Sequence, residues 1–309
     1  MPDLIFHHYH NSPFSEKIRT IFGYKKLPWK SVLIPAIMPK PNLTALTGGY
    51  RKTPVLQIGA DIYCDTALIA NVLERIAPTP GLYPPEIAGM ARTLAQWADS
   101  TLFWTVIPYI FSQPAAIQSI LGGATPEQMK AFAADRAGFR GNAPRMSAGE
   151  ATGSLLEYLR RLDGMLADGK QYLLGAQPCI ADFSVYHCLW FVQKAKEVAS
   201  IIDRAPHVQA WLGRMAAIGH HSHDAMPGEQ ALEIARSSSP AAIDAPFVDT
   251  FGIALGEQVT IAPTDYGLDP VEGELVMAAE NELAVRRTDP QAGTVVVHFP
   301  RIGFQLKKI

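Results

Sequence analysis

Near the N-terminus, three hydroxyl groups and one acid–hydroxyl pair stand where chemistry could be done. In "HNSPFSEKIR" (residues 10–19) Ser12 precedes Pro13 and a glutamate follows in the first turn, the usual start of a helix. A hydroxyl there can cap backbone N–H groups, and it can also donate to an anion drawn to the positive end of the helix dipole. Tyr9 closes the apolar run before it, and Ser15 follows one turn later. Asp65 and Thr66 open a second helical pattern and pose the same choice between plain capping and ligand binding. Thr53-Pro54-Val55 starts a strand pattern, and Lys40 and Lys52 flank that part of the chain. Taken singly, lysines of this kind are solvated surface charges.

Two other groupings point away from chemistry. "GHHSHD" (residues 219–224) crowds three histidines and an aspartate, but adjacent histidines in a Gly-flanked tail seldom converge on a metal, and histidines suit a helix C-terminus without one. No metal site is expected. The chain has three cysteines, Cys64, Cys179 and Cys188, too few and too scattered for a disulfide framework, with no Cys-x-x-Cys pair. A reducing, cytoplasmic setting is expected. The start "MPDLIFHHYH" lacks a basic, apolar leader, and no run approaches the ~18 apolar residues of a spanning helix.

These residues need elements to position them. A chain of 309 residues with 48% hydrophobic content predicts about two domains and a small third. A formal net charge of −2 gives no case for nucleic acid, and a small-molecule or protein partner is expected instead. Residues 4–9 read as a strand, and Phe14, Ile18, Ile21 and Phe22 recur at helical spacing. "WKSVLI" and "TPVLQIGADIYC" read as three further strands, the last two joined by a turn at Gly59-Ala60-Asp61, and Leu68, Ile69, Val72, Leu73 and Ile76 as a second amphipathic helix. The order is β-α-β, then β-β-α. "PTPGLYPP" (78–85) is a linker, after which helical patterns run over about 86–113, 125–140, 152–168, 180–198 and 206–219. Beyond "RSSSPAAIDAP" (236–246), alternating Val259/Ile261 and Val295/Val297/Phe299, with a turn cluster at "PTDYGLDP", predict strands.

This organisation resembles the glutathione S-transferase family over about residues 3–230. The resemblance is carried by "SPFSEKIR", "TPVLQ", "CDTALIANVLE" and "LLGAQPCIADFSVYH" in that order and spacing. It implies an α/β thioredoxin-like domain that binds glutathione (1–80), an all-α helical bundle (86–235) and, outside the usual family plan, a small C-terminal β domain of unknown role (247–309). "CIADFSVYH" matches the family's helix-capping box, with Cys179 where a hydroxyl is expected, which weakens the cap by ~1 kcal/mol.

Glutathione carries two carboxylates, an ammonium and a thiol with a pKa near 8.5, so its site must hold charge at both ends and stabilise a thiolate between them. By resemblance, Asp65 faces the ammonium, and Thr66 with its helix N-terminus takes the γ-glutamyl carboxylate. Thr53-Pro54 is the cis-proline turn, the Val55 backbone pairs with the cysteinyl backbone, and Lys40 and Lys52 are the candidates for the glycyl carboxylate. Ser12 stands where the family places its thiol-activating group, with Tyr9 next and Ser15 third in order. Trp97, Phe103, Trp104, Tyr109 and Phe111 lie on the helix that lines the family's electrophile pocket, although aromatics at such spacing are more often core residues. No cysteine stands at position 12 or 15, which disfavours exchange through a mixed disulfide with the protein. The expected function is transfer of the glutathione thiolate to a small electrophile by a cytoplasmic homodimer. A glutathione-dependent disulfide or peroxide reductase, or a non-catalytic binding and scaffold protein, remain open.

Overall fold

The computed structural model describes residues 3–141 and 145–309 of the chain. β1 (Ile5–His8) is buried throughout and sends alternate side chains into two cores, Phe6 to one side and Ile5 to the other. The chain turns at Ser12 into α1 (Pro13–Lys25), which ends at Lys26 in the left-handed conformation. β2 (Trp29–Leu33) returns parallel to β1, as a helical crossover allows. After α2 (Pro41–Thr47), β3 (Val55–Ile58) and β4 (Asp61–Cys64) form an antiparallel hairpin, and α3 (Thr66–Ile76) follows. α1 and α3 pack on the Phe6 and Leu56 face, in the expected thioredoxin-like order. A Cβ on Gly23 would stand 2.0 Å from the Gly219 carbonyl, so α1 can rest on that turn only with glycine there.

The second unit is helical: α4 (Ala88–Trp97), α5 (Phe103–Phe111), α6 (Pro114–Leu121), α7 (Pro126–Phe139), α8 (Ala148–Leu166), α9 (Ile180–Lys194) and α10 (Pro206–Ala216). α9 is its axis, with every side chain from Ile180 to Leu189 buried. The capping box forms around Asp182, whose carboxylate accepts the N–H groups of Cys179 and Leu173 at 2.9 Å and Trp211 Nε1–H at 3.0 Å. The Cys179 sulfur completes the box by accepting the Asp182 N–H, and its thiol also donates to the Asp182 carboxylate. The single helix expected over 86–113 is broken: α4 and α5 are joined by a π-helical turn, Ala98–Leu102, and Pro108 lies inside α5. α6 occupies a stretch with no clear periodicity in the sequence. No helix among the described residues is long and apolar enough to cross a membrane.

The C-terminal strands do not stand apart. β6 (Gln258–Pro263), β7 (Val271–Ala278), β8 (Glu282–Asp289), β9 (Gly293–Pro300) and β10 (Phe304–Lys308) join the first unit because β9 pairs in parallel with β4, Ile62 opposite Val297. The ten-stranded sheet runs β10-β6-β7-β8-β9-β4-β3-β1-β2-β5. Its last member, β5 (His223–Ala225), corrects the reading of residues 219–224 as a helix tail: it adds to β2, His220 bonds Glu16, and His223 stacks on Trp29. α11 (Gly228–Ser237) packs on α2, β2 and β9, so it covers the sheet and not the bundle. One apolar core therefore contains Leu46 and Val55 of the first unit, Leu232 of α11, and Val285, Val297 and Phe299 of the extension.

A charged knot seals the β4–β9 seam. His298 is buried with Tyr63 stacked on its ring, and its nitrogens meet Glu282 Oε1 at 2.8 Å and Asp61 Oδ1 at 3.1 Å. Burial opposes the imidazolium, but hydrogen bonds and charge from Asp61 and Glu282 outweigh it and raise the His298 pKa. A raised folded pKa stabilises fully below the unfolded value and is lost as pH rises through the folded one. His298→Gln should therefore cost ~2–3 kcal/mol of unfolding free energy at pH about 6, as for hydrogen bonds to charged groups, and progressively less toward pH about 9. Urea titrations of both proteins across that range check the size and the slope.

Candidate active site at the N-termini of two helices

The turn that presents Ser12 is fixed from several sides. Ser12 N–H donates to the Tyr9 carbonyl at 3.2 Å, and Ser12 Oγ accepts the Ser15 N–H at 3.2 Å. That cap uses the oxygen as acceptor and leaves the hydroxyl proton for another partner. Arg19 reaches back from α1 to the carbonyls of Tyr9 and His10 at 3.3 and 2.9 Å while pairing with Glu16 at 2.7 Å. Asn11 Nδ2 donates to the Ile120 carbonyl at 2.7 Å, tying the turn to α6. Ser12 is 2% exposed and Tyr9 is half-buried, whereas Ser15 is fully enclosed with its hydroxyl unpartnered. The geometry thus separates the three hydroxyls: Ser12 at the helix end, Tyr9 beside it, Ser15 inside.

The Thr53–Pro54 peptide is cis, as the resemblance implies. Val55 is fully buried in the sheet, aligned with His7 of β1 and Cys64 of β4, and Thr53 is the residue of the turn left half-buried at its edge. The lysines are not surface charges. Lys40 is buried, donates to Thr53 Oγ1 at 3.0 Å and lies over the Tyr9 ring at 5.9 Å. Burial, with Arg136 and Arg51 nearby, pushes its pKa down to about 8. Lys52 is buried too, but its ammonium is held by Asp265 at 2.6 Å over the Tyr266 ring at 4.1 Å. The two glycyl-carboxylate candidates therefore part: Lys52 already has a carboxylate, whereas the hydrogen-bond partner of Lys40 among the described residues is the Thr53 hydroxyl.

Asp65 caps α3 by accepting the Ala67 N–H at 2.8 Å. It does so at φ +75°, a left-handed conformation that costs a non-glycine residue ~1–3 kcal/mol and is retained where the surroundings demand it. Burial raises its pKa, against the charges of Lys52 and Lys17 and the Ala67 hydrogen bond. Thr66 Oγ1 accepts from Lys17 Nζ at 3.2 Å, which leaves its proton free to donate. Lys17 has no exposed side-chain surface and pairs with Asp99 Oδ2 at 2.6 Å. The other Asp99 oxygen meets His187 Nε2 at 2.9 Å. Burial pushes the Asp99 carboxyl up, but Lys17 and His187 hold it below the usual carboxylate range. Sequence reasoning missed this knot, although Lys17 stands inside the motif it quoted and Asp99 is the one acid between Ala88 and Phe111.

An aromatic run crosses the same region. Phe14, two residues after Ser12, lies 4.7 Å from Phe103, Phe103 lies 5.2 Å from Trp104, Trp104 lies 5.1 Å from Tyr266, and Tyr266 lies 5.1 Å from Phe139. The other aromatics expected on this helix point elsewhere, Trp97 to Tyr158, Tyr109 to the Val198 carbonyl and Phe111 to Phe132. Two hollows lie elsewhere, about 490 Å³ beside Arg286 and Glu274 and about 410 Å³ beside Met90 and Trp97. Neither is lined by the charged and hydroxyl groups gathered at the ends of α1 and α3. All three cysteines are buried, and burial pushes the Cys179 thiol up to about 12 and raises those of Cys64 and Cys188 well above the usual thiol range. None is a thiolate near neutral pH.

Comparison with known proteins agrees with the fold. The chain matches the glutathione S-transferase N-terminal domain over residues 6–81 and the C-terminal domain over residues 127–214. No curated protein matches it. The crystal structure of a GST-like protein from Pseudomonas syringae shares 42% identity over 100% of both chains, with a TM-score of 0.83. A glutathione S-transferase from Rhodospirillum rubrum F11 shares the fold at 20% identity, covering 69% of this chain and 88% of its own, with a TM-score of 0.53. A Tau class glutathione S-transferase from mango, Mangifera indica, does so at 16% identity over 70% of this chain and 89% of its own, with a TM-score of 0.51.

Removing Asp99 would strand a buried ammonium between the helices. Asp99→Ala should lower the unfolding free energy by ~3–5 kcal/mol, the cost of breaking a buried pair on one side, as read by urea denaturation. A change under ~1 kcal/mol would show that the pair does not hold the helix ends.

Proposed function

From the premise that the chain belongs to the glutathione S-transferase family, we propose that it binds glutathione at the ends of α1 and α3 and transfers the thiolate to a small electrophile. The observation that carries this reading is Ser12, whose oxygen caps α1 while its proton remains free at the positive end of the helix. The hydroxyl donates to the sulfur of bound glutathione. A hydrogen bond to a charged group is worth ~1.5–3 kcal/mol, or ~1–2 units of thiol pKa, enough to populate thiolate near neutral pH. The thiol proton passes to water, the sulfur lone pair forms the new bond to the electrophilic carbon, and the leaving group departs with its bonding pair.

Each end of the tripeptide has a partner. Asp65 faces the ammonium, and the Thr66 hydroxyl with the first N–H groups of α3 takes the γ-glutamyl carboxylate, with Lys17 adding positive charge behind it. Lys40 takes the glycyl carboxylate, because Lys52 is held by Asp265. The buried, protonated cysteines favour transfer from glutathione over a reductase that works through a protein thiol.

Ser12→Ala should raise the pKa of bound glutathione by ~1–2 units in an ultraviolet thiolate titration. It should also slow conjugation of chlorodinitrobenzene more at pH about 6.5 than at pH about 9. A wild-type protein that neither binds glutathione nor conjugates would sink the proposal. Since Lys40 titrates at about 8, calorimetric affinity for glutathione should fall as pH rises through that value. In Lys40→Met the affinity should be ~10-fold weaker at neutral pH and lose that dependence.

A further inference from the structure

The turn "PTDYGLDP" between β6 and β7 belongs to the extension, yet its residues face the candidate active site. Two contacts hold it there: Gly267 N–H donates to the Phe139 carbonyl at 2.8 Å, and Asp265 pairs with Lys52 at 2.6 Å, while Thr264 N–H ties the loop to its own extension at the Gly303 carbonyl, 3.0 Å away. Gly267 has φ +60°, and a Cβ there would come within 2.7 Å of the Phe139 ring, so the loop lies tight against the end of α7. It is a built surface and not a loose flap.

Tyr266 is the side chain this loop delivers. It is 8% exposed, and its ring packs against Lys52, Trp104 and Phe139, residues outside the extension. It closes the aromatic run that begins at Phe14 and passes through Phe103 and Trp104. Phe14, at one end of that run, follows Ser12 by two residues, and Tyr266, further along it, lies within electrostatic reach of Asp65, Asp99 and Tyr9. Electron-rich Tyr and Trp rings favour offset or edge contact with another flat ring, worth ~0.5–1.5 kcal/mol beyond the area buried.

We propose that Tyr266 is a specificity-determining residue of the electrophile site, supplied by the C-terminal extension, and that with Trp104 it selects substrates carrying a flat, electron-poor aryl group. The inference rests on the glutathione reading above. Calorimetry with glutathione, S-methyl glutathione and S-dinitrophenyl glutathione separates the two. Wild type should bind the aryl conjugate more tightly than the methyl one. Tyr266→Leu, which keeps the bulk of the side chain, should lose ~10-fold of that preference with little change for glutathione itself, and Tyr266→Phe should restore it. Glutathione binding with an unchanged aryl preference in Tyr266→Leu overturns the role of Tyr266 and leaves the glutathione reading standing. Loss of the preference in Tyr266→Phe as well assigns the effect to the hydroxyl and overturns the ring contact. A wild-type protein that binds none of the three overturns the glutathione reading and this inference with it.

Discussion

A lysine ammonium with no exposed side-chain surface must be neutralised inside the protein, because an unpaired buried charge costs several kcal/mol. Lys17 meets this constraint through Asp99 at 2.6 Å and Thr66 at 3.2 Å, and the rest of the site depends on it. The lysine comes from α1, the hydroxyl from the start of α3 and the carboxylate from the π-helical turn between α4 and α5. His187 of α9 takes the remaining Asp99 oxygen. One charge cluster thus joins two helix N-termini to the axis of the helical unit. The five-residue turn at Ala98–Leu102 is consistent with that duty, since an extra residue per turn re-aims a side chain at a functional position.

The extension meets a different constraint. Without it, β4 would expose an unpaired edge of N–H and C=O groups, and β9 covers that edge in parallel register. The seam is apolar on one face, with Ile62, Val297 and Phe299 in a shared core, and ionic where His298 meets Asp61 and Glu282. The new edges are short or charged: β5 has three exposed residues, and β10 ends in Lys307 and Lys308. Covering β4 also brings the β6–β7 loop over Lys52, so a device that completes the sheet reshapes the ligand site. Lys52 becomes part of that junction, and Lys40 is left as the cation beside the cis-proline turn.

Much of this was legible in the sequence because it is local. Pro13 after Ser12, Asp65 before Thr66 and alternating valines write helix starts and strands directly into neighbouring residues. The break in the first long helix was not legible, because a π turn preserves composition and shifts only the hydrogen-bond pattern. β5 was not legible either, since three exposed residues carry no alternation and pair only because β2 leaves them a place. Lys52 read as a surface charge because nothing near it in sequence is acidic, and its partner lies 213 positions away.

By itself, the sequence determined the two kinds of unit, the family resemblance and the helix ends at Ser12 and Asp65, because capping, periodicity and turn chemistry act over a few residues. Only the tertiary structure decided which of those groups are free to act. Ser15 is enclosed, Lys52 is claimed by Asp265, Lys17 is committed to Asp99, and Tyr266 arrives from a strand loop of the extension. The reason is that burial and charge pairing are settled between segments distant in the chain, where no local pattern records them.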